Sequence, residues 1–415
     1  MRDEIITGLD VGSTTIRIVV GQKIVDSNNE EKLHIIGVAE TSAEGISKGV
    51  IVSIDDAVSS ISSCLEKAER MAGVPIEQAY VGISGSHILS QGSKGVIAVS
   101  KANGEINEDD IERVIEAAQA VATPPNYEIL HVIPRNFTVD NQMGIKDPLG
   151  MTGVRLEVEA QIIQGLSSQV KNLTKTIYRT GVDIEDLVLA VLAAAESVLS
   201  KRQKELGVAL VNIGGSTTSL VVLEEGDVLH TSILPIGGGH ITSDVAIGLR
   251  TSIDVAEKVK IEYGSAVPNN INKKDEINLA EFSSGDESTV SRKHVAEIIE
   301  ARLEEIFELV DRDLKKINRS GLLPAGVVLT GGGARLEGIV EVAKKKFRLP
   351  ASIGYPTEMA SAIEKVNDPI FSAALGLVIW GSQLHTGRKR LGLPRFSSVE
   401  EVTSKMKKWF KSLIP

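Results

Sequence analysis

The sequence predicts an α/β protein of two related lobes closed over a cleft, with an inserted α+β module and a C-terminal amphipathic helix. Three observations predict it. The first is an echo: Leu9-Asp10-Val11-Gly12-Ser13-Thr14-Thr15 returns in the second half of the chain as Val211-Asn212-Ile213-Gly214-Gly215-Ser216-Thr217. Each copy lies between two apolar β-like runs, and a strand–turn–strand rich in Gly, Ser and Thr aims backbone N–H groups at one anion. Two such hairpins would grip a polyphosphate from opposite sides. The second observation is a change of texture between Ser84 and Gln161, where short strands and one helix sit among Gly- and Pro-rich turns. The third is the tail, whose apolar and basic residues separate onto two faces of a helix.

The bulk composition permits this reading. A chain of 415 residues exceeds one ordinary core. It is 42% apolar and only 3% aromatic, so Val, Ile, Leu and Ala must build the interior. The single cysteine, Cys64, excludes an internal disulfide framework, and its helical spacing to Ile61 and Leu65 places it in the core. Seven scattered histidines suggest no metal cage. The opening residues are charged and lead into a strand, and no apolar run approaches the ~20 residues of a membrane span, so a reducing cytoplasmic setting is expected. Net charge is −10, yet the chain from Gly381 onward carries eight Lys/Arg against two Asp/Glu. An acidic body argues against nucleic acid as a partner.

In chain order, strands are expected at Ile5–Leu9, Ile16–Gly21 and Leu33–Ala39, then a helix from Ile54 to Met71 capped by Ser53 and ended by Gly73-Val74-Pro75. Ala79–Ile83 reads as the next strand. Inside the inserted module, Asn107 to Val121 reads as a helix. Gln169 to Thr180 resumes a helix, and Leu187 to Leu199 reads as strand then helix. Gly264 to Val290 is polar and reads as a mobile loop region rather than a packed unit. A long helix follows, with Val295, Ile299, Leu303, Ile306, Val310, Leu314 and Ile317 at helical spacing. The buried strand Gly326–Leu329 leads into a third glycine turn, Thr330-Gly331-Gly332-Gly333-Ala334-Arg335. Pro394 and Ser397-Ser398 mark a linker before the tail.

Asp10 stands just before the first turn, where a carboxylate can hold the waters of a magnesium ion. Gly12 lets the backbone approach an anion, and Ser13, Thr14 and Thr15 add hydroxyls. Alone, this reads as an ordinary hairpin; the second copy reverses that and favours a phosphate grip. Asn212 replaces Asp10 in that copy and brings no charge, which predicts weaker magnesium organisation there. The third turn suits a base or phosphate lying on backbone. There is no GxxxxGK[ST], so P-loop chemistry is excluded. Glu257 and Lys260 lie one turn apart on a helix and read as ribose contacts or as a solvated face.

On the tail, Val402, Met406, Trp409, Phe410, Leu413 and Ile414 share one helical face, and Lys405, Lys407, Lys408 and Lys411 share the other. That is the pattern of a helix lying in a membrane interface; the alternative is a helix docked on its own body. Each lysine contributes about 1 kcal/mol at an anionic leaflet, while ordering the backbone costs ~1–2 kcal/mol per residue. One tail therefore binds weakly, and several on one assembly bind well.

These residues resemble the actin/sugar-kinase superfamily, and within it the FtsA family of cell division proteins. The most specific segments are Leu130–Pro134, Gly144–Pro148 and Gly153–Arg155 in the inserted module, with Glu205–Ala209, Thr242–Ala246, Val327–Gly338 and the tail. The resemblance implies an actin-like, ribonuclease-H-like two-lobed fold. It makes Asp10 to Thr15 and Gly214 to Thr218 phosphate loops, and Gly331, Gly332, Gly333 and Arg335 an adenosine loop, with Glu257 and Lys260 near the ribose. It implies subdomain 1A from residues 1–83, 162–195 and 372–385, inserted subdomain 1C from 84–161, 2A from 196–235 and 320–371, and 2B from 236–319. A linker at 386–403 and a membrane helix at 404–415 complete the set. Arg302 matches the family's arginine for the C-terminal peptide of the tubulin-like FtsZ, which carries acidic residues.

The resemblance thus implies an ATP- and Mg-binding protein that forms filaments at the cytoplasmic face of the membrane at the division septum. It would tether the FtsZ ring there and recruit later division proteins. Two departures bear on turnover. Asn212 stands where an aspartate is usual, and Ala190-Val191 stand where hydrolytic relatives such as MreB carry Glu-Pro, with Glu196 displaced by a turn. ATP hydrolysis is expected to be slow or absent. The rival readings are the type IV pilus adaptor PilM, which needs no amphipathic tail, and a small-molecule kinase, which needs a substrate carboxylate as base.

Overall fold

The computed structural model describes residues 4–25, 31–101, 103–120, 123–282, 288–356, 360–361 and 363–385; the linker and amphipathic helix expected at 386–415 lie outside them. The chain opens with a meander of β1 (Glu4–Val11), β2 (Thr15–Val25) and β3 (Glu31–Ser42), followed by the short pair β4 (Ile46–Ser47) and β5 (Val50–Ile51). Helix α1 (Ile54–Ala72) starts at Ser53, whose hydroxyl accepts from the Asp56 N–H, and stops at left-handed Gly73. Strand β6 (Gln78–Ile83) returns beside β1 in parallel.

The inserted module comprises β7 (Ile88–Ala98), α2 (Glu108–Ala120), β8 (Tyr127–Val139), β9 (Gln142–Ile145) and β10 (Arg155–Leu166), in sheet order β7-β10-β8-β9. Its own core holds Val114, Ile115 and Ala118 of α2 against Leu156, Val158 and Ala160 of β10. The base of the module is different: Leu130, Ile133 and Ile163 belong to the core of the first lobe. The chain then runs through α3 (Ser167–Tyr178), β11 (Asp183–Leu189), α4 (Ala190–Val198) and α5 (Lys201–Leu206).

The second lobe repeats the plan. Strands β12 (Val208–Ile213), β13 (Thr218–Glu224) and β14 (Asp227–Leu234) form a meander, followed by helices α6 (Gly238–Leu249) and α7 (Ile253–Tyr263). The small hairpin β15 (Glu276–Asn278) with β16 (Thr289–Ser291) precedes the long α8 (Arg292–Lys316). Strand β17 (Val327–Thr330), α9 (Ile339–Phe347), β18 (Ala351–Ile353) and β19 (Ala360–Ser361) lead to α10 (Ser372–His385).

Duplication is explicit in the sheets. The first runs β11-β6-β1-β2-β3-β19 and the second β14-β13-β12-β17-β18. In each, the central strand pairs antiparallel with its meander neighbour and parallel with the strand that crosses back. Even the register repeats: Asp10 faces Arg17 as Asn212 faces Ser219, so both hairpins close over a four-residue turn.

Helices α4 and α10 lie between the sheets. Their apolar residues join Leu9, Ile18 and Val81 of the first sheet to Leu210, Val221 and Val328 of the second in one continuous core. The two helices cross so closely that a Cβ at Gly376 would lie 1.8 Å from the Ala193 carbonyl oxygen. Gly376→Val should therefore lower stability by about 3 kcal/mol or more, read as a shift in urea midpoint; an unchanged midpoint would contradict this crossing.

One expectation needs correction. Residues 264–290 were expected to form a mobile loop region. The described part of this segment packs on the second lobe, with Ala266, Ile277 and Leu279 fully buried and Asn278 capping a short 3-10 turn. A few apolar anchors at wide spacing hold it down, and polar neighbours concealed them in the sequence.

Candidate functional site between the lobes

The two hairpin turns meet in a narrow cleft of about 80 Å³. Asp10, Gly12, Ser13, Thr14 and Thr15 border it from the first lobe, and Asn212, Gly214, Gly215, Ser216 and Thr217 from the second. Gly331 and Gly332 form a third side. The turns touch: a Cβ at Gly215 would fall 2.3 Å from Thr14 Cγ2. Behind the second turn, the N–H groups of Gly238 and Gly239 donate to the carbonyls of Gly214 and Gly215 at 2.8 and 2.7 Å. That takes the turn's acceptors out of play and braces it on α6. On the first lobe, the Gly49 N–H donates to Ser13 Oγ at 2.8 Å.

Gly331 adopts φ +82°, and a Cβ there would strike Asn212 Oδ1 at 2.2 Å. Glycine is thus required both by conformation and by the close packing of this turn on the second hairpin. The other residues expected here do not border this small volume. Gly333 packs on Ile213, and Arg335 is mostly exposed, 3.7 Å from Asp368. Glu257 and Lys260 pair with each other at 2.6 Å. Lys260 also donates to Thr242 Oγ1 at 2.8 Å and to the Gly238 carbonyl at 3.4 Å, so this pair braces the α6 N-terminus.

Electrostatically the cleft is spare. Among the described residues bordering it, Asp10 is the one carboxylate and Arg17 the one cation. Desolvation on the cleft floor raises the Asp10 carboxyl above its ordinary 3.8, and the Arg17 guanidinium partly offsets this. Arg17 lies 3.7 Å from Glu40 and 6.0 Å from the Phe371 ring, while its buried Nε makes no hydrogen bond among the described residues. Two helices also begin at the cleft, α4 at Ala190 and α10 at Ser372 and Ala373. Helix α4 has no side-chain cap, so its N-terminal N–H groups and dipole favour an anion.

Sequence reasoning missed Arg17, Ser84, Ser219 and Ser372, all of which border the cleft. Arg17 carried a readable signal, a cation set in an apolar run directly after the turn. Ser84 and Ser219, whose hydroxyls stand 3.3 Å apart across the lobes, carried none. Glu196 is engaged by Lys204 at 3.0 Å, and Ala190 occupies the position at the cleft. Of the described residues, no cluster of three or more His, Cys, Asp or Glu forms a metal cage.

Arg302, on α8, is held by Asp244 of α6: Nε and one terminal nitrogen meet the carboxylate, the latter at 2.9 Å, and the other terminal nitrogen meets Glu305 at 2.6 Å. The hydrogen bond from Arg302 to Asp244 raises the guanidinium's pKa. Ile247 of α6 is largely exposed one turn beyond Asp244, and Ile298 of α8 packs beneath Gly248.

Duplicated sheets, a pair of helices packed between them and facing hairpins define an actin-like, two-lobed fold. Solved structures agree. The PilM–PilN type IV pilus biogenesis complex matches with a TM-score of 0.67 at 16% identity, covering 91% of this chain and 98% of that one. MreB5 of Spiroplasma citri bound to ADP matches with a TM-score of 0.54 at 14% identity, covering 92% and 98%. At these identities the likeness is one of fold.

Sequence narrows the class. A family profile described as Cell division protein FtsA matches residues 209–376, and one described as SHS2 domain inserted in FTSA matches residues 85–164. Cell division protein FtsA of Pseudomonas aeruginosa is 37% identical over 411 residues, 98% of this chain and 97% of that protein. FtsA of Bacillus subtilis is 39% identical over 376 residues, 91% of this chain and 83% of that protein. The chain belongs to the FtsA family of cell division proteins.

Proposed function

We propose that this chain is an ATP-dependent membrane tether of the division ring. The facing hairpins carry the reading: paired turns, a carboxylate beside one of them, Arg17 and two helix N-termini all converge on one point between hinged lobes. That set suits a triphosphate with its magnesium ion. Asp10 would hold magnesium-bound water, Ser13 to Thr15 and Gly214 to Thr217 the phosphates, and Gly331 and Gly332 the adenosine side. Magnesium would neutralise phosphate charge. With Ala190 at the α4 N-terminus and Asn212 in the second turn, no carboxylate besides Asp10 among the described residues borders the cleft to activate water. ATP acts in this reading by selecting a polymer-competent shape, a shift of population rather than a chemical step.

Small-molecule pockets usually span about 300–1,000 Å³. A cleft of about 80 Å³ therefore admits a nucleotide only when the lobes rotate apart about α4 and α10. The subdomain boundaries given above, self-association into filaments and recruitment of later division proteins belong to the same proposal, as does localisation to the cytoplasmic face of the membrane at the septum. Among the described residues no helix is long and apolar enough to cross a membrane, so attachment rests on Met406, Lys407, Lys408, Trp409, Phe410, Lys411, Leu413 and Ile414. The FtsZ peptide would meet Arg302, with Ile247 and Ile298 as apolar neighbours.

Trp409→Glu should release the full-length chain from anionic liposomes while leaving its affinity for an ATP analogue unchanged. Retained liposome binding would overturn the tail assignment.

A further inference from the structure

The inserted module touches both lobes, and it does so by unlike means. Its hold on the first lobe is covalent and apolar. Strands β7 and β10 enter and leave beside β6 and α3, Leu130, Ile133 and Ile163 sit in the first lobe's core, and His131 Nε2 accepts the Leu189 N–H at 3.1 Å. Its hydrogen bonds and ion pair to the second lobe gather along β14 and the turn before it. Thr231 Oγ1 donates to Ser90 Oγ at 2.6 Å, and Gln161 Nε2 donates to the same oxygen at 2.6 Å. At the start of β14, Lys146 forms an ion pair with Asp227 and donates to the Glu225 carbonyl of the preceding turn at 3.2 Å. Alongside these contacts runs an open groove of about 720 Å³, bordered by Gln91, Lys94, Arg135 and Glu159 of the module and by Leu229 of β14. Water therefore has access to the edge of this interface.

The module is also rooted at the cleft. The Ser84–Gly85 junction that leads into β7 packs against Gly49, which donates to Ser13 of the first turn, and Ser84 faces Ser219 of β13. Because the module shares the first lobe's core and is bridged to β14 by hydrogen bonds and an ion pair, rotation of the lobes about α4 and α10 would carry β7 away from β14. A polar, wetted contact between units is the kind that exchanges.

We propose that the contact of the inserted module with β14, made by Ser90–Thr231 and Lys146–Asp227, is a latch that releases when the cleft opens to nucleotide. This rests on the reading of the cleft as a nucleotide site. The latch makes module position and cleft state one equilibrium: a ligand that favours either partner shifts the other by the same factor. The inserted module thereby reports nucleotide exchange on the outer surface of the protein.

A disulfide across the latch tests this. Cys64, the one native cysteine, is buried and hydrogen-bonded to the Ile16 carbonyl, and burial pushes its thiol up to about 11, so it does not compete for oxidation. The full-length S90C/T231C variant is oxidised, and association of fluorescent N-methylanthraniloyl-ATP with magnesium is followed by stopped flow. The oxidised form should associate at least about tenfold more slowly than wild type, with reduction restoring the rate; the reduced form serves as the folding control. Equal rates for oxidised and reduced protein, with wild type binding normally, would overturn the latch and leave the cleft reading intact. No binding by wild type would overturn both. Full-length Lys146→Ala should associate faster than wild type, and a slower rate would also count against the latch.

Discussion

Asp10→Asn is expected to weaken binding of magnesium–ATP by about 10–100-fold, the usual cost of removing a group that orients metal-bound ligands, while making the nucleotide-free protein more stable at neutral pH. The two effects share a cause. Asp10 sits where desolvation raises its carboxyl, and Arg17 only partly compensates. For a carboxylate raised in the folded state, the favourable contribution is complete below the ordinary value of 3.8 and is lost as pH rises through the folded value. At pH 7 the buried carboxyl is therefore a burden on the fold, which Asn removes. The gain in melting temperature should shrink as pH falls toward 3.8. Thermal melts of both proteins between pH 4 and pH 7, with isothermal titration of magnesium–ATP, check each half. A variant less stable than wild type at pH 7, or equal affinity for nucleotide, would contradict the account of Asp10.

Arg302→Glu carries the second large effect. The guanidinium is fixed by two hydrogen bonds to Asp244 and one to Glu305, so it is oriented before any partner arrives. Glu305 is more exposed than Asp244, which makes it the contact that an incoming carboxylate exchanges with. Reversing the charge would leave three carboxylates together on the α6–α8 face and repel an acidic peptide. The loss should reach about 2 kcal/mol or more, a roughly thirtyfold or greater rise in Kd. Fluorescence anisotropy with a labelled C-terminal FtsZ peptide measures it directly. Asp244→Asn should give a smaller loss, because the arginine remains but is less firmly placed. An unchanged Kd for Arg302→Glu would place the peptide elsewhere.

Much of this was legible in the chain because it is local. The paired turns at Asp10 and Asn212 are short-range signals, and they led to two lobes whose sheets share one order and one register. Helix α1 was legible down to its Ser53 and Gly73 caps, since capping is chemistry between near neighbours. Other features depend on residues brought together only by folding. Ser84 and Ser372 reach the cleft through topology, and nothing beside them in sequence says so. Glu257 and Lys260 are adjacent on α7 as their spacing requires, yet their partners Thr242 and Gly238 come from another helix. Residues 264–290 misled by composition: a few buried side chains outweigh many polar ones when they land on a waiting apolar face. The contact of the module with β14 had no sequence signal, because hydroxyls and one lysine are ordinary surface residues until a second sheet edge lies opposite.

In the proposed function, nucleotide in the cleft governs attachment at the membrane. Co-sedimentation with anionic liposomes tests it most directly, using the full-length chain and a version ending at Glu401, each with and without magnesium–ATP. ATP should increase binding of the full-length chain, and truncation should abolish binding in both conditions. Equal, negligible binding by both forms, or binding by the truncated form, would contradict it.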